Sequence, residues 1–101
     1  MQCSKPITFR SEAYLDLVRS KRCLFCGKPG PNDPHHISLK DAMVGGKSSD
    51  LGVISICREH HRLFHDHPAK FRETVDSAEI FEAMYWLERE YLEDLFRKGQ
   101  I

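Results

Sequence analysis

The stretch from Cys57 to His65, CREHHRLFH, constrains this chain more than any other feature. It offers four potential metal ligands. Because successive residues of a helix advance by about 100°, residues three or four positions apart share a face. His61 and His65 therefore lie on one face, whereas Cys57 and His60 share another. His60 and His65 are five positions apart and do not easily serve one ion. The pattern predicts a single helix that carries half of each of two metal sites.

A Cys-x-x-Cys turn at Cys23 and Cys26 supplies the other half of the first site. The turn continues as Gly-Lys-Pro-Gly, and glycine tolerates the positive φ that a metal-binding knuckle needs. A redox Cys-x-x-Cys would instead open a helix after a strand, and the glycines and prolines that follow here forbid that helix. Together with Cys57 and His60, the two thiolates fill the tetrahedral shell of a structural zinc ion. Such an ion would contribute on the order of 10 kcal/mol to folding and would do no catalysis.

The size and composition of the chain are typical of one small domain. It has 101 residues, and a domain of that size buries a modest core that a metal ion would reinforce. No apolar run is long enough to span a membrane, and the first residues lack the apolar core of a secretory signal. We therefore expect no membrane association and a cytoplasmic location, where cysteines are more often thiols or metal ligands than disulfides. Cys3 lies far from any ligand-like spacing and is predicted to be a free thiol.

The formal charge is zero, but it is divided unevenly along the chain. Residues 1–75 carry 12 Lys and Arg against 8 Asp and Glu, whereas residues 76–101 carry 3 against 7. The positive front part is compatible with a polyanionic partner. A neutral chain, however, has no broad electrostatic footprint, so charge alone does not identify a nucleic-acid-binding protein.

Two adjacent histidines, His35 and His36, lie in a predicted short strand that follows Pro34. Taken alone, they could be solvated loop residues. Because His61 and His65 lack a third ligand, one histidine from a neighbouring strand would complete a catalytic site with open positions for water and substrate. Successive side chains of a strand point to opposite faces. One histidine is therefore expected to bind the ion, and the other to act beside it as a general base, since the unperturbed pKa of histidine lies near neutrality.

The segment 39–49 is predicted to be a loop that contains a Gly-Gly pair between Lys40 and Lys47. Glycines next to lysines can let the backbone approach a phosphate, although an ordinary solvated connection explains each lysine equally well. Asp50 ends the loop, and GVISI then forms a β-branched strand that runs into Cys57. The predicted order is knuckle, strand, loop, strand and helix.

This order of motifs resembles the HNH endonucleases, which have the ββα-metal fold. The residues that carry the resemblance are Cys-x-x-Cys, His-His-Ile, Gly-Gly-Lys, Asp-Leu and Ile-Cys-x-x-His-His-x-x-x-His, within residues 23–65. Within the family, the pattern is similar to the phage recombination-enhancement (Ref-type) nucleases and to related prophage HNH proteins. The resemblance implies a single α+β nuclease domain over residues 1–101, with a small zinc-stabilised ββα-metal core.

The resemblance also implies an activity, the metal-dependent hydrolysis of phosphodiester bonds in DNA by an endonuclease or nickase. His36 takes the place of the general base that activates water. Asp50 falls where most members have an asparagine that orients this base, and an aspartate can accept a hydrogen bond from the imidazole but cannot donate one. His35, His61 and His65 take the places of ligands to a second divalent ion, Zn²⁺, Mn²⁺, Ni²⁺ or Mg²⁺, of which the softer ions suit imidazole best. The candidate contacts to DNA phosphates are Lys40, Lys47 and Arg62.

Two helices are predicted to flank this core. Ser11 is a good N-cap for an N-terminal helix over about 11–21, and the pair Asp76 and Glu79 resembles a capping box that opens a long C-terminal helix over about 77–98. The apolar stripe of the long helix is broad enough to need a cover. That cover is either the N-terminal helix or, across an interface, a second copy of the chain or another protein.

Two alternatives to an enzyme follow from the same residues. A non-catalytic zinc-stabilised nucleic-acid-binding or adaptor module would need only the first four ligands and has no use for the remaining histidines. A single mixed-ligand zinc site with stray histidines predicts one bound ion per chain. No segment resembles a helix-turn-helix, so any sequence specificity is expected to be low or to come from a partner.

Overall fold

In residues 9–37 and 49–101, which a computed structural model describes, a two-stranded sheet lies among four helices. In chain order the elements are α1 (Glu12–Arg19), β1 (Asp33–His36), β2 (Val53–Ile56), α2 (Arg58–Asp66), α3 (Pro68–Thr74) and α4 (Ser77–Arg97). The described part is therefore a small α+β domain that has both predicted flanking helices. Cys3, Lys40 and Lys47 lie outside the described residues.

Side-chain caps fix where the helices begin. The hydroxyl of Ser11 accepts a hydrogen bond from the amide of Tyr14 at the start of α1, and the Asp76 carboxylate accepts one from Ala78 at the start of α4. These caps satisfy backbone amides that have no partner within a helix. Cys57 was expected inside the metal helix but is the N-cap of α2. It precedes the first turn because its extended backbone (φ −70°, ψ 161°) continues the direction of β2.

The sheet separates the two adjacent histidines. β1 and β2 are antiparallel, with His35 opposite Ile54 and His36 opposite Val53. Opposed residues point to the same face and neighbours to opposite faces. His35 therefore shares a face with Ile54, and His36 shares the other face with Val53. β1 begins at Asp33, two residues before His35, where the strand was expected to start after Pro34.

Each face of the sheet packs into its own hydrophobic cluster. The cluster on the α2 side joins β2 to Phe64, Ile80 and Met84. The cluster on the α1 side joins Val53 to Tyr14, Val18 and Leu87. The buried members that come from α4 are Ile80 and Met84 in the first cluster and Leu87 in the second, and the partly buried Ala83 and Tyr91 pack against the first and the second cluster respectively. The long helix therefore contributes to the clusters on both faces of the sheet and packs against α1 within the chain.

A second apolar strip on α4 is not covered. Phe81, Tyr85, Leu92 and Phe96 are each more than half exposed. Their spacing of four, seven and four residues places them on one side of the helix. The stripe predicted from the sequence thus divides into a buried half and an exposed half. None of the helices in the described part of the chain is long and apolar enough to cross a bilayer.

Candidate metal centre and histidine site

The four residues predicted as the first metal site come together in the structure. Cys23, Cys26, Cys57 and His60 each offer one ligand atom, and all four atoms lie within 4.8 Å of one another. The sulfurs of Cys26 and Cys57 are 3.8 Å apart, and Nδ1 of His60 lies 3.1 Å from the sulfur of Cys57 and 3.7 Å from that of Cys23. Ligands about 2.3 Å from a tetrahedral zinc ion are separated by about 3.8 Å. The cluster is compatible with a zinc site.

The knuckle that carries the first two thiols is built by backbone hydrogen bonds. The amide of Gly27, which has φ +72°, donates to the carbonyl of Cys23 at 2.9 Å, and the amide of Cys23 donates to the carbonyl of Lys28 at 2.9 Å. The buried Asn32 side chain donates to the carbonyls of Lys21 and Lys28 at 2.8 and 2.9 Å. The left-handed turn at Gly27 returns the chain on itself, and Asn32, which the spacing pattern did not reveal, ties the two ends of the knuckle together.

The pKa values of two of the thiols, Cys23 and Cys26, shift in opposite directions. Burial raises the pKa of Cys23, but hydrogen bonds from the backbone amides of Cys57, Cys26 and Phe25 outweigh it and lower the pKa to about 6. The amide of Lys28 lowers the pKa of Cys26, but the neighbouring sulfurs of Cys23 and Cys57 outweigh that effect and raise it overall. Because the thiolate is the form that binds metal, the sulfur of Cys23 is ready to bind, whereas that of Cys26 needs a nearby cation to favour its thiolate.

On the α1 side of the sheet, His36 is hydrogen-bonded to Asp50. Nε2 of His36 lies 2.9 Å from Oδ1 of Asp50, and Asp50 is only 3% exposed. Burial raises the pKa of Asp50, but hydrogen bonds from His36, the Ser11 amide and Arg10 together lower it below its ordinary value. The residue predicted to orient the base is therefore an ionised, buried carboxylate in contact with that base.

Two further partners of Asp50 could not be found by sequence spacing. The guanidinium of Arg10 donates to Oδ1 at 3.1 Å, and the amide of Ser11 donates to Oδ2 at 2.8 Å. They lie 40 and 39 positions away in the sequence. Since Ser11 also caps α1, the carboxylate that holds His36 is anchored to the first turn of that helix.

On the α2 side, the structure brings the three histidines predicted to bind the second ion near one another without closing a ligand set. The rings of His35 and His61 are 5.3 Å apart between centroids, and His61 and His65 line one open cavity of about 570 Å³. The side chain of His65 is 85% exposed. Within the part of the chain that the structure describes, the cluster around Cys23 is the one set of three or more ligands within 4.8 Å, so His35, His61 and His65 do not meet that distance.

The pKa of His35 is nevertheless lowered by three neighbouring imidazoles. Burial lowers its pKa first, and the charges of His61, His36 and His65 lower it further, to about 4. His35 is therefore neutral at physiological pH, and a neutral imidazole is the form that binds a metal ion.

The cavity beside α2 also holds charged groups of both signs. Arg62, a predicted phosphate contact, lies in its wall. The other lining residues are Arg19, Asp33, Pro34, Arg58, His61, His65 and Asp66. Asp33 was missed by the sequence analysis. Its carboxylate contacts Nδ1 of His61 at 3.1 Å and the Arg58 guanidinium at 3.3 Å. The hydrogen bond to His61, followed by the Arg58 charge, lowers the pKa of Asp33 in spite of partial burial.

Comparison with known proteins gives a family but no activity. Residues 1–88 match the sequence profile of a family described as protein of unknown function (DUF968). The uncharacterized protein YdfU of Escherichia coli (strain K12) is 33% identical over 78 residues, which is 76% of this chain and 22% of that protein. The chain thus spans well under two thirds of the length of the curated relative that it matches. No solved structure matches the chain.

Proposed function

As the chain belongs to the DUF968 family, whose description names no activity, we propose from its site that it is a metal-dependent HNH endonuclease or nickase of DNA, similar to phage and prophage HNH nucleases. The observation that carries the proposal is the 2.9 Å hydrogen bond between His36 and the buried Asp50. It joins the residue in the position of the general base to the residue in the position that orients it. A two-stranded sheet followed by α2, which supplies His61 and His65, is also the order of elements that the HNH resemblance implies.

The first metal site has a structural role in this proposal. Cys23, Cys26, Cys57 and His60 would hold Zn²⁺ with no position left for a substrate, because three sulfurs and one nitrogen complete a tetrahedron. The ion would fasten the knuckle to the start of α2. Binding energies of such sites are comparable to the whole stability of a small domain, so the ion would decide whether α2 is held in place.

His36 acts as the general base. Its Nε2 is 2.9 Å from Asp50, and an ionised carboxylate only accepts hydrogen bonds, so Nε2 carries the proton of the neutral ring. Nδ1 then has the lone pair that takes a proton from water. The water oxygen forms a bond to phosphorus, the bond from phosphorus to the leaving oxygen breaks, and Asp50 stabilises the imidazolium that results.

His35, His61 and His65 would hold the second divalent ion. When bound, that ion supplies positive charge to the phosphoryl and leaving oxygens. Neutral His35 is suited to the role, and the exposed side chain of His65 lines the same cavity as His61. Zn²⁺, Mn²⁺ and Ni²⁺ are better matched than Mg²⁺ to three nitrogen ligands.

DNA is the proposed substrate, and a DNA substrate implies a cytoplasmic location. Arg62 lies in the cavity beside His61 and His65, where a guanidinium can bind a phosphate through two hydrogen bonds. Lys40 and Lys47 are kept as proposed contacts from the loop.

The exposed strip of α4, formed by Phe81, Tyr85, Leu92 and Phe96, supports the expected contact with a second copy of the chain or with another protein. Contiguous apolar surface of this kind is typical of interaction sites. Light scattering coupled to size-exclusion chromatography distinguishes a homodimer from a monomer that needs a different partner.

A plasmid-nicking assay tests the proposed activity. Wild type, His36→Ala and His67→Ala are incubated with supercoiled plasmid and Mg²⁺, Mn²⁺, Zn²⁺ or Ni²⁺ in turn. His67 follows the last residue of α2 and lies outside the site, so its variant is a matched control for the loss of a histidine. We expect nicking by wild type and His67→Ala and a loss of about 10²-fold or more in His36→Ala. Equal nicking by His36→Ala and wild type would overturn the assignment.

One observation favours a second candidate, a zinc-stabilised nucleic-acid-binding or adaptor module without catalysis. The first four ligand atoms lie within 4.8 Å, whereas those of His35, His61 and His65 do not. The module predicts one ion per chain and DNA binding without nicking. Elemental analysis of protein purified in chelator-free buffer distinguishes one bound ion from two.

A further inference from the structure

Asp33 is hydrogen-bonded to His61, one of the two histidines that line the cavity beside α2. Its Oδ2 lies 3.1 Å from Nδ1 of His61, and its Oδ1 lies 3.3 Å from the Arg58 guanidinium. Each carboxylate oxygen therefore has one partner on α2. The Asp33 side chain is 24% exposed, less than either of these partners, so the carboxylate on β1 is the most shielded member of this group of three side chains.

The register of the sheet explains why Asp33 can reach α2. Asp33 and His35 are two residues apart on β1 and point to the same face. That face packs against α2, where Arg58 and His61 are three residues apart and share a side of the helix. Asp33 and His35 therefore both face His61, one through a hydrogen bond and the other through a ring contact of 5.3 Å.

An ionised carboxylate accepts hydrogen bonds and donates none. When His61 is neutral, the nitrogen that faces Asp33 must therefore carry the ring proton, which leaves the lone pair on Nε2. Histidines that bind metals commonly donate their other ring nitrogen to a carboxylate in this way, and the partner fixes both the tautomer and the ring orientation.

We propose that Asp33 is a positioning residue that holds His61 in its Nδ1–H tautomer, so that Nε2 is presented to a divalent ion in the cavity beside α2. The role of the ion rests on the proposed function, whereas the tautomer does not. Arg58 is the second anchor of Asp33 and keeps the carboxylate aligned with the first turn of α2.

Nitrogen-15 NMR of the histidine rings tests the tautomer directly. Spectra are recorded at pH 8 on protein that carries one equivalent of Zn²⁺, with His61 identified by its loss in His61→Gln. We expect the Nδ1–H form in wild type and in Asp33→Asn, whose amide oxygen can still accept the bond. We expect the Nε2–H form, which histidine favours in water, in Asp33→Ala. Asp66→Ala removes the other carboxylate of the cavity and is expected to leave the wild-type tautomer.

Titration with a second equivalent of Zn²⁺ against a chromophoric competitor measures the consequence for binding. Asp33→Ala is expected to weaken this binding by about 10- to 100-fold, and His61→Gln to abolish it. Glu59→Ala, which removes an exposed carboxylate of α2 that does not line the cavity, is expected to leave it unchanged. Circular dichroism and the retained first equivalent of Zn²⁺ show whether each variant is folded.

The inference is overturned if wild-type His61 is in the Nε2–H form or if Asp33→Ala leaves the tautomer unchanged. It is also overturned if Asp33→Ala abolishes the second binding event as completely as His61→Gln, because Asp33 would then be a ligand itself. A wild-type chain that binds one equivalent of Zn²⁺ removes the second ion from the proposed function, and the NMR tautomer alone then decides the role of Asp33.

Discussion

Replacement of Asp50 by Asn tests the link between the N-terminal part of the chain and the proposed base. The carboxylate accepts hydrogen bonds from Arg10, the Ser11 amide and His36. Asparagine keeps one acceptor oxygen and turns an amide donor towards the remaining donors. A hydrogen bond to a charged group contributes about 1.5 to 3 kcal/mol, and a buried donor left unpaired has a cost of similar size. After allowance for the bond that asparagine retains, we expect the free energy of unfolding to fall by about 2 to 3 kcal/mol.

Urea denaturation at pH 7, followed by circular dichroism with Zn²⁺ present, measures this change. The pKa of Asp50 in the folded chain lies below its ordinary value. The carboxylate therefore contributes fully to the free energy of unfolding above the unfolded pKa of about 4, and this contribution is lost as the pH falls further. A measurement at pH 7 therefore reports all of it. Asp16→Asn is the matched control because Asp16 is exposed and paired only at the surface with Arg19, where such pairs contribute about 0 to 1 kcal/mol.

The nicking rate is the second measurement on Asp50→Asn. We expect a fall of about 10²-fold, because the ring of His36 loses its charged anchor. A loss of stability below about 1 kcal/mol, or one no larger than that of Asp16→Asn, would show that the three hydrogen bonds do not act as a unit. A normal nicking rate in a destabilised variant would separate the structural role of Asp50 from catalysis.

Three further predictions concern the metal cluster, the sheet and the core. Cys26→Ser is expected to lower the zinc content measured by elemental analysis, whereas Cys3→Ser, the matched change at the predicted free thiol, leaves it unchanged; equal zinc content in both variants contradicts the ligand set. The pKa of His35 lies near 4 in the folded chain and near 6.5 when unfolded, so its contribution to stability is complete above about pH 6.5 and is lost progressively as the pH falls towards 4. His35→Gln is therefore expected to flatten the decline of unfolding free energy between pH 6.5 and 5, and an unchanged slope refutes this. Phe64 is 3% exposed and Phe81 is 53% exposed. We therefore expect Phe64→Ala to lower the free energy of unfolding, measured by urea denaturation, by about 3 to 5 kcal/mol, and Phe81→Ala to lower it by less than about 1 kcal/mol. Similar losses in the two variants would show that this face of α4 is covered in solution.

Local spacing was sufficient to predict which four residues form the Cys/His cluster. Cys57 and His60 are three residues apart, and Cys23 and Cys26 lie in one turn, so each half is determined by backbone geometry over a few residues. The two halves were expected to meet because their three sulfurs and one nitrogen together fill a tetrahedral shell. The long helix α4 was equally predictable from the sequence, because the Asp76 cap and the apolar stripe that follows are local features.

Contacts between distant segments could not be predicted in the same way. Asp33 reaches His61 over 28 positions and Arg10 reaches Asp50 over 40, and neither aspartate nor arginine at those positions has a distinctive spacing. The helical pattern predicted that His61 and His65 share a face of α2, and both line the cavity beside that helix. It could not give the distance to His35, because that distance depends on the register of β1 and on how closely α2 packs against the sheet.

The position of Cys57 affects how inhibition experiments should be interpreted. Its sulfur belongs to the metal cluster and also caps the first turn of α2, the helix that carries His61 and His65. Under the proposed function, stripping metal with EDTA would loosen the scaffold and empty the proposed histidine site together, so a loss of nicking would not identify the ion that serves the reaction. Oxidants that attack the thiols would produce the same ambiguity, and selective re-addition of ions to a folded chain is the more informative route.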